Sequence, residues 1–219
     1  MDNRRVILSL ENRDRLFWLG RYSERVYTTL KYFAEQFDSM IDRKNHDGIY
    51  TSKEDFAQKY CFNEDDPNSV YYGLMRAYDN AIELREEIGS DTFSYIQMAV
   101  YEMNRAKFSD SPLLQLQKVS DNIAAFWGMA DDRIYDEKVR SIIKLGKRIE
   151  RVDLYARMNA DSGDIQREIH RLSYRIEKAG LKYDSGRLER LNELAAEDGI
   201  NCPEIVKEVE GLIDLSRIN

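Results

Sequence analysis

A short sequence that occurs twice constrains the fold of this chain more than any other feature. Residues 19–26 read LGRYSERV and residues 145–152 read LGKRIERV, so both copies fit the pattern L-G-[RK]-x-x-E-R-V. In each copy the glycine and the glutamate are four residues apart, which places them on one face of a helix. Apolar residues recur at steps of three and four through both copies. The repeat therefore predicts two related helices that turn the same face towards a core.

The glycines and charges of the repeat leave two interpretations open. A glycine inside a helix costs about 1 kcal/mol relative to alanine, so Gly20 and Gly146 indicate the close approach of a second helix or a ligand. In the first interpretation the two helices cross at these glycines, and each glutamate forms a buried ion pair that holds the helix register. In the second, carboxylates and basic groups converge on a substrate, where they act in acid–base chemistry or bind an anion. The candidate residues are the same in both: Arg21, Glu24, Arg25, Lys147, Glu150 and Arg151.

Residues that break helices are scarce, so we predict helices along the whole chain. Only 3 prolines and 11 glycines occur in 219 residues, and no segment alternates as a strand would. We predict an all-α fold: a single-domain helical bundle over residues 1–219, with about six to eight helices and the two related Glu-Arg helices packed together. Residues 1–13 are predicted to be an N-terminal extension, residues 45–67 a loop that can hold one turn of helix after Ser52, and residues 161–219 the C-terminal helices.

Composition excludes several classes of partner. The formal net charge is -7 and the chain has no basic block, so we expect no nucleic-acid partner. No apolar run approaches the length of a membrane span, so no membrane association is expected. Cys61 and Cys202 fit neither a metal spacing nor a disulfide framework, which favours a cytoplasmic location. The oligomeric state is not indicated.

Metal chemistry has one weak signal. Residues 131–137 read DDRIYDE and are similar to the aspartate-rich motifs of helical enzymes that bind diphosphate through Mg²⁺. On one helix, Asp132 and Asp136 would share a face, but no second motif accompanies them. Carboxylate-bridged di-iron bundles need Glu-x-x-His on two helices, and neither His46 nor His170 follows a glutamate at that spacing. We therefore predict no metal and no cofactor, with a Mg²⁺-dependent diphosphate-binding enzyme as a minor alternative.

Three stretches resemble one known family. Residues 17–25, FWLGRYSER, are similar to the opening signature of the alpha-E superfamily. Residues 66–70, DPNSV, with the spaced arginines and asparagines that follow, resemble its central helix, and residues 136–157 resemble its closing Glu-Arg helix. One departure is Lys147, which stands where that family commonly has arginine.

The resemblance implies an all-helical protein that accompanies, or is fused to, a circularly permuted ATP-grasp ligase and a transglutaminase-like protein. The implied role is a binding or assembly subunit of a bacterial system that makes or modifies amide-linked peptides. An enzyme that uses Glu24 and Glu150 beside arginine and lysine is the alternative, so catalysis stays undecided. Besides the motif residues, the resemblance carries over four weaker site candidates: Asn68, Arg76, Asn80 and Arg85. From the residues alone, either Asn68 or Ser69 can cap the helix that follows, and Asn68 is first of all such a cap. Arg76 and Asn80 belong to a polar helix face.

Overall fold

The computed structural model describes residues 8–42, 57–197 and 199–215. Within these residues the chain forms helices and no strand, apart from one isolated bridge between Tyr183 and Ile213, so the prediction of an all-α fold is confirmed. The helices are α1 (Leu10–Asp42), a π-helical segment (Gln58–Phe62), α2 (Val70–Glu83), α3 (Arg85–Ile88), α4 (Ser90–Ala106), α5 (Pro112–Arg133), α6 (Glu137–Arg157), α7 (Ser162–Ala179), α8 (Ser185–Ala196) and α9 (Cys202–Glu210).

Local capping signals explain where most helices begin. The Ser69 hydroxyl accepts a hydrogen bond from the backbone N–H of Tyr72 and so caps α2. A side-chain oxygen before each of α6, α7, α8 and α9 accepts from the first helical turn in the same way. Such side chains satisfy N–H groups that have no partner within the helix. Gly180, with φ +61°, follows the last residue of α7, as is usual for a glycine at a helix end.

The predicted start of the first helix is wrong, and the predicted loop contains a short helical segment. Helix α1 begins at Leu10, inside the stretch predicted as an extension, of which residues 1–7 lie outside the described residues. The predicted loop over residues 45–67 falls partly on residues 43–56, which are also outside them. Its described remainder contains the π-helical segment, whose Cys61 and Phe62 side chains are buried. Hydrophobic contacts with the bundle stabilise this segment. The polar residues around it in the sequence gave no indication of a buried helix.

Helices α1 and α6 lie at the centre of the bundle. Helix α1 packs against α6, α2 and α5, while α6 also contacts α7 and α9. Helices α4 and α5 form a further pair, and α4 also packs against α2. One hydrophobic cluster runs through the fold from Leu8 to Leu212. None of the helices described is both long and apolar enough to cross a membrane.

The two repeated helices pack side by side and run in the same direction. The backbone of Phe17 lies against Gly146, and further along both helices Glu24 contacts Arg151. Residues later in α1 therefore contact residues later in α6, as expected for two parallel helices. The prediction that the two Glu-Arg helices pack together is confirmed. The fold brings the two copies of the repeat into direct contact.

Candidate functional site

The backbones of α1 and α6 touch at the two repeat glycines. A Cβ atom at Gly20 would lie 2.0 Å from the carbonyl oxygen of Ile143, and one at Gly146 would lie 2.1 Å from the carbonyl oxygen of Phe17. Real Cβ atoms essentially never lie so close to another heavy atom, and in both cases the obstacle is backbone rather than a movable side chain. Only glycine fits at either position. The two contacts are equivalent, since each glycine meets the corresponding turn of the other copy.

The charged residues of the repeat exchange partners across this contact. We call Arg21, Glu24, Arg25, Lys147, Glu150 and Arg151 the Glu-Arg cluster. Arg21 Nε donates to Glu150 Oε2 at 2.7 Å, and Arg25 Nε donates to Glu150 Oε1 at 2.5 Å. In return, Arg151 Nε donates to Glu24 Oε1 at 2.6 Å, and Arg151 Nη2 forms an ion pair with the same oxygen at 2.5 Å. Both carboxylate side chains are 0% exposed. Each glutamate is thus held by cations of the other copy, in an approximately two-fold arrangement.

Lys147 breaks this symmetry. It occupies the position of Arg21, but its Nζ lies 3.8 Å from Glu24 Oε2, beyond hydrogen-bonding distance. The lysine ammonium instead lies 3.9 Å from the centre of the Trp127 ring. Thr28 donates to Glu24 Oε1 at 2.9 Å, while Oε2 has no hydrogen-bond partner among the residues described. A lysine offers one point charge where arginine offers a planar fork of donors, so one carboxylate oxygen is left without a hydrogen bond.

Burial shifts the pKa values of Glu24 and Lys147. Desolvation raises the pKa of Glu24, although Arg151 and Lys147 both favour its charged form. Desolvation also lowers the pKa of Lys147 to about 8, against the attraction of Glu24. Both shifts favour the neutral forms, because loss of water stabilisation outweighs the attraction between the two groups.

Sequence reasoning missed two buried acids that extend the Glu-Arg cluster. Glu168 of α7 accepts from Arg148 at 2.6 Å and lies 3.7 Å from Arg151. Burial acts to raise the pKa of Glu168, but Arg148 and Arg151 lower it overall. Asp153 accepts from Arg157 at 2.9 Å and lies 3.9 Å from Arg21. The available signal was helical spacing, since Asp153 follows Glu150 by three residues and so lies on nearly the same face.

A cavity reaches the edge of the Glu-Arg cluster. It has a volume of about 510 Å³ and lies where α1 and α6 approach the start of α7. Thr28 and Arg151, which both bind Glu24, line it together with Tyr27, Lys31 and several other residues. The carboxylates themselves stay buried. The geometry is that of an ion-pair network between helices, with solvent at one side of it.

The four weaker candidates are not brought into one site. Arg76 and Asn80 line a groove of about 290 Å³ between α1 and α2. Arg85 lies apart from it, where its Nε donates to the Ser90 hydroxyl at 3.3 Å. Asn68 is exposed and donates its backbone N–H to Asp66 Oδ1 at 2.9 Å. Of the two predicted capping candidates, Ser69 caps α2, so the prediction that Asn68 is first of all a cap is wrong.

The aspartates proposed for Mg²⁺ belong to different structural elements. Asp132 lies in the last turn of α5 and pairs with Arg133 at 3.1 Å. Asp136 caps α6 by accepting from the N–H groups of Lys138 and Val139. The prediction that they share a helix face is therefore wrong, because the helix ends between them. Across the described residues no group of three or more His, Cys, Asp or Glu side chains is arranged to hold a metal ion.

Comparison with known proteins gives one match. The model of a family described as a predicted alpha-helical domain with a conserved ER motif matches residues 12–179, from the first turn of α1 to the end of α7. No curated protein and no solved structure matches the chain. The matched range contains both copies of the repeat and Glu168.

Proposed function

Because the chain belongs to the Alpha-E family, we propose that it is a binding or assembly subunit of a bacterial, ATP-grasp-associated system that makes or modifies amide-linked peptides. In this proposal the Glu-Arg cluster holds the helices in place and does not carry out a reaction. The observation that supports it is the complete burial of Glu24 and Glu150. A general acid or base must come within hydrogen-bonding reach of its substrate, and here neither carboxylate has any exposed surface.

The physical role of the cluster follows from the cost of leaving it incomplete. A buried ion pair adds little net stability, but removing one partner leaves a charge without its counterion and costs about 3–5 kcal/mol. A register shift of α1 against α6 would remove Glu24 and Glu150 from their partners at once. The cluster therefore favours one register of the parallel pair over all others. Its function is specificity of packing.

Glutamine substitution tests this role. We expect Glu150→Gln to leave Arg25 without its paired carboxylate and Arg21 with only the more distant Asp153, and to destabilise the fold by about 3 kcal/mol. For a chain of this size that lowers the melting temperature by about 10 °C. The control is Glu193→Gln, which breaks an exposed pair with Arg190 and should change stability by less than about 0.5 kcal/mol. Equal melting of Glu150→Gln and the control would refute the structural role.

A second candidate, an enzyme that uses Glu24, is favoured by one observation. The carboxylate has a free oxygen beside a lysine of lowered pKa, and such perturbed pairs are concentrated at functional sites. Glu24→Gln separates the two candidates. If the variant melts like the wild type but abolishes amide formation in the reconstituted system, Glu24 belongs to an active site. A lowered melting temperature, with activity lost only in proportion to unfolding, supports the assembly role.

The partner proposal has its own test. The purified chain is mixed with an ATP-grasp ligase-like protein from the same organism, and the mass of the mixture is measured by size-exclusion chromatography with light scattering. We expect a complex, and we expect the ligase to form amide bonds faster in its presence. A transglutaminase-like neighbour is tested in the same way. Failure of both to bind would overturn the assembly role, whatever the stability of the variants.

A further inference from the structure

The groove between α1 and α2 combines aromatic faces with charged and amide groups. Helix α1 contributes three residues at helical spacing, and α2 contributes four at complementary positions. Its lining residues are Arg15, Trp18, Tyr22, Tyr72, Arg76, Asp79 and Asn80. It is separate from the Glu-Arg cluster, none of whose members lines it.

The aromatic wall of the groove is held in place from within the fold. The rings of Trp18 and Tyr22 stack with centroids 5.3 Å apart and planes at 29°. Arg21 lies over the Trp18 ring at 4.9 Å and Arg25 over the Tyr22 ring at 5.7 Å, and both arginines bind buried Glu150. The wall is therefore pre-organised, which reduces the entropy lost when a ligand binds.

The opposite wall supplies a guanidinium with unused donors. Arg76 Nη2 bonds to the Tyr72 hydroxyl at 3.1 Å, and Arg76 makes no ion pair with any described carboxylate. A guanidinium has five N–H donors in a fork that matches a carboxylate. Arg15, in contrast, is already paired with Glu11 on its own helix. One cation of the groove is thus free for an incoming anion.

Asp79 and Asn80 limit which anion fits. Neither side chain makes a hydrogen bond within the described part of the structure, and both line the groove beside Arg76. The Asp79 carboxylate repels a phosphate dianion about twice as strongly as a singly charged carboxylate in the same space. It accepts N–H groups instead, while the Asn80 amide both donates and accepts. These groups are complementary to a peptide bond next to a single carboxylate.

We propose that this groove binds the carboxylate end of a peptide, with the carboxylate on Arg76, the adjacent amide on Asp79 and Asn80, and the peptide packed beside Trp18 and Tyr22. Because the groove belongs to this chain alone, the proposal is independent of any partner protein. Its failure would leave the assembly role untouched, and failure of the assembly role would leave it intact.

Fluorescence of Trp18 gives a direct test. The chain has 2 tryptophans, and Trp127→Phe leaves Trp18 as the only indole. The probes are N-acetyl-dialanine, its C-terminal amide and inorganic phosphate. We expect a saturable change of emission with the free acid, and binding at least about tenfold weaker for the amide and for phosphate. Equal binding of acid and amide, tighter binding of phosphate, or no saturation with the acid at about tens of millimolar would overturn the proposal.

Matched arginine variants assign the binding to the groove. We expect Arg76→Gln to weaken acid binding about tenfold. The control is Arg105→Gln. Arg105 is also exposed and lies over the ring of Tyr101, one turn earlier, but it belongs to α4 and not to the groove. Unchanged binding in Arg76→Gln, or an equal loss in the control, would refute the assignment. If Trp127→Phe does not fold, calorimetry on the wild type and both arginine variants gives the same comparison.

Discussion

Adding one methyl group at Gly20 should separate the two central helices. In Gly20→Ala the new carbon would lie 2.0 Å from the carbonyl oxygen of Ile143 and 3.1 Å from the backbone nitrogen of Lys147. Ordinary van der Waals contact begins near 3.4 Å, so the carbonyl must retreat by more than an ångström. Both obstacles are backbone atoms, and no side-chain rotation relieves the overlap. The variant must therefore move α6 away from α1 or distort one of them.

The net effect follows from two opposed contributions. Overpacking of a well-packed core costs about 1–3 kcal/mol, occasionally more, and the displacement would also stretch the ion pairs of Glu24 and Glu150. Alanine recovers about 1 kcal/mol through its higher helix propensity. Because both obstacles are backbone, we take the upper end of the overpacking range and expect a net loss of about 2 kcal/mol, with a melting temperature lower by about 4–8 °C. Gly146→Ala should behave alike, since it meets the backbone of Phe17 at 2.1 Å.

Gly128→Ala is the matched control. Gly128 lies inside α5 and is exposed, and a Cβ atom there would meet nothing within 4 Å. The same substitution should thus stabilise the protein by about 1 kcal/mol through propensity alone. Urea unfolding followed by circular dichroism measures both variants. If Gly20→Ala is as stable as Gly128→Ala, the close approach of α1 and α6 is incorrect and the argument for the Glu-Arg cluster fails with it.

Three further predictions concern single side chains. Lys147→Arg should supply the hydrogen bond that Glu24 Oε2 lacks and stabilise the fold by about 1 kcal/mol in urea unfolding; a destabilised variant would contradict the geometry. In the wild type, the pKa of Lys147 is lowered from 10.5 to about 8, so between these values the unfolded chain binds more protons and the contribution of this group to stability rises with pH. Melting temperatures of wild type and Lys147→Arg should differ in slope there, and parallel profiles would reject the shift. Cys61 is fully buried and its pKa is raised to about 12, whereas Cys202 is only partly buried. A thiol-specific reagent should therefore label Cys202 first in the native protein. Equal rates of labelling at the two cysteines would refute this.

Much of the fold was predictable because helical periodicity is a local property. Apolar steps of three and four fix which face of each helix is buried, whatever the rest of the chain does. The repeat glycines also predicted a contact between residues far apart in sequence, because Gly20 and Gly146 are unfavourable in helices unless something approaches them closely. Capping was less predictable: Ser69 and Asn68 offer similar side chains, and only the backbone geometry selects Ser69.

The tertiary structure alone decided which charges meet. The repeat indicated that Glu24 and Glu150 lie near arginines, but pairing across copies depends on the parallel direction and close contact of α1 and α6. Glu168 joins the network because α7 packs on α6, and Arg76 separates from Arg85 because α2 ends between them. Spacing along one helix determines which side chains share a face. Which face of which other helix lies opposite depends on contacts between residues far apart in sequence, and these form only in the folded bundle.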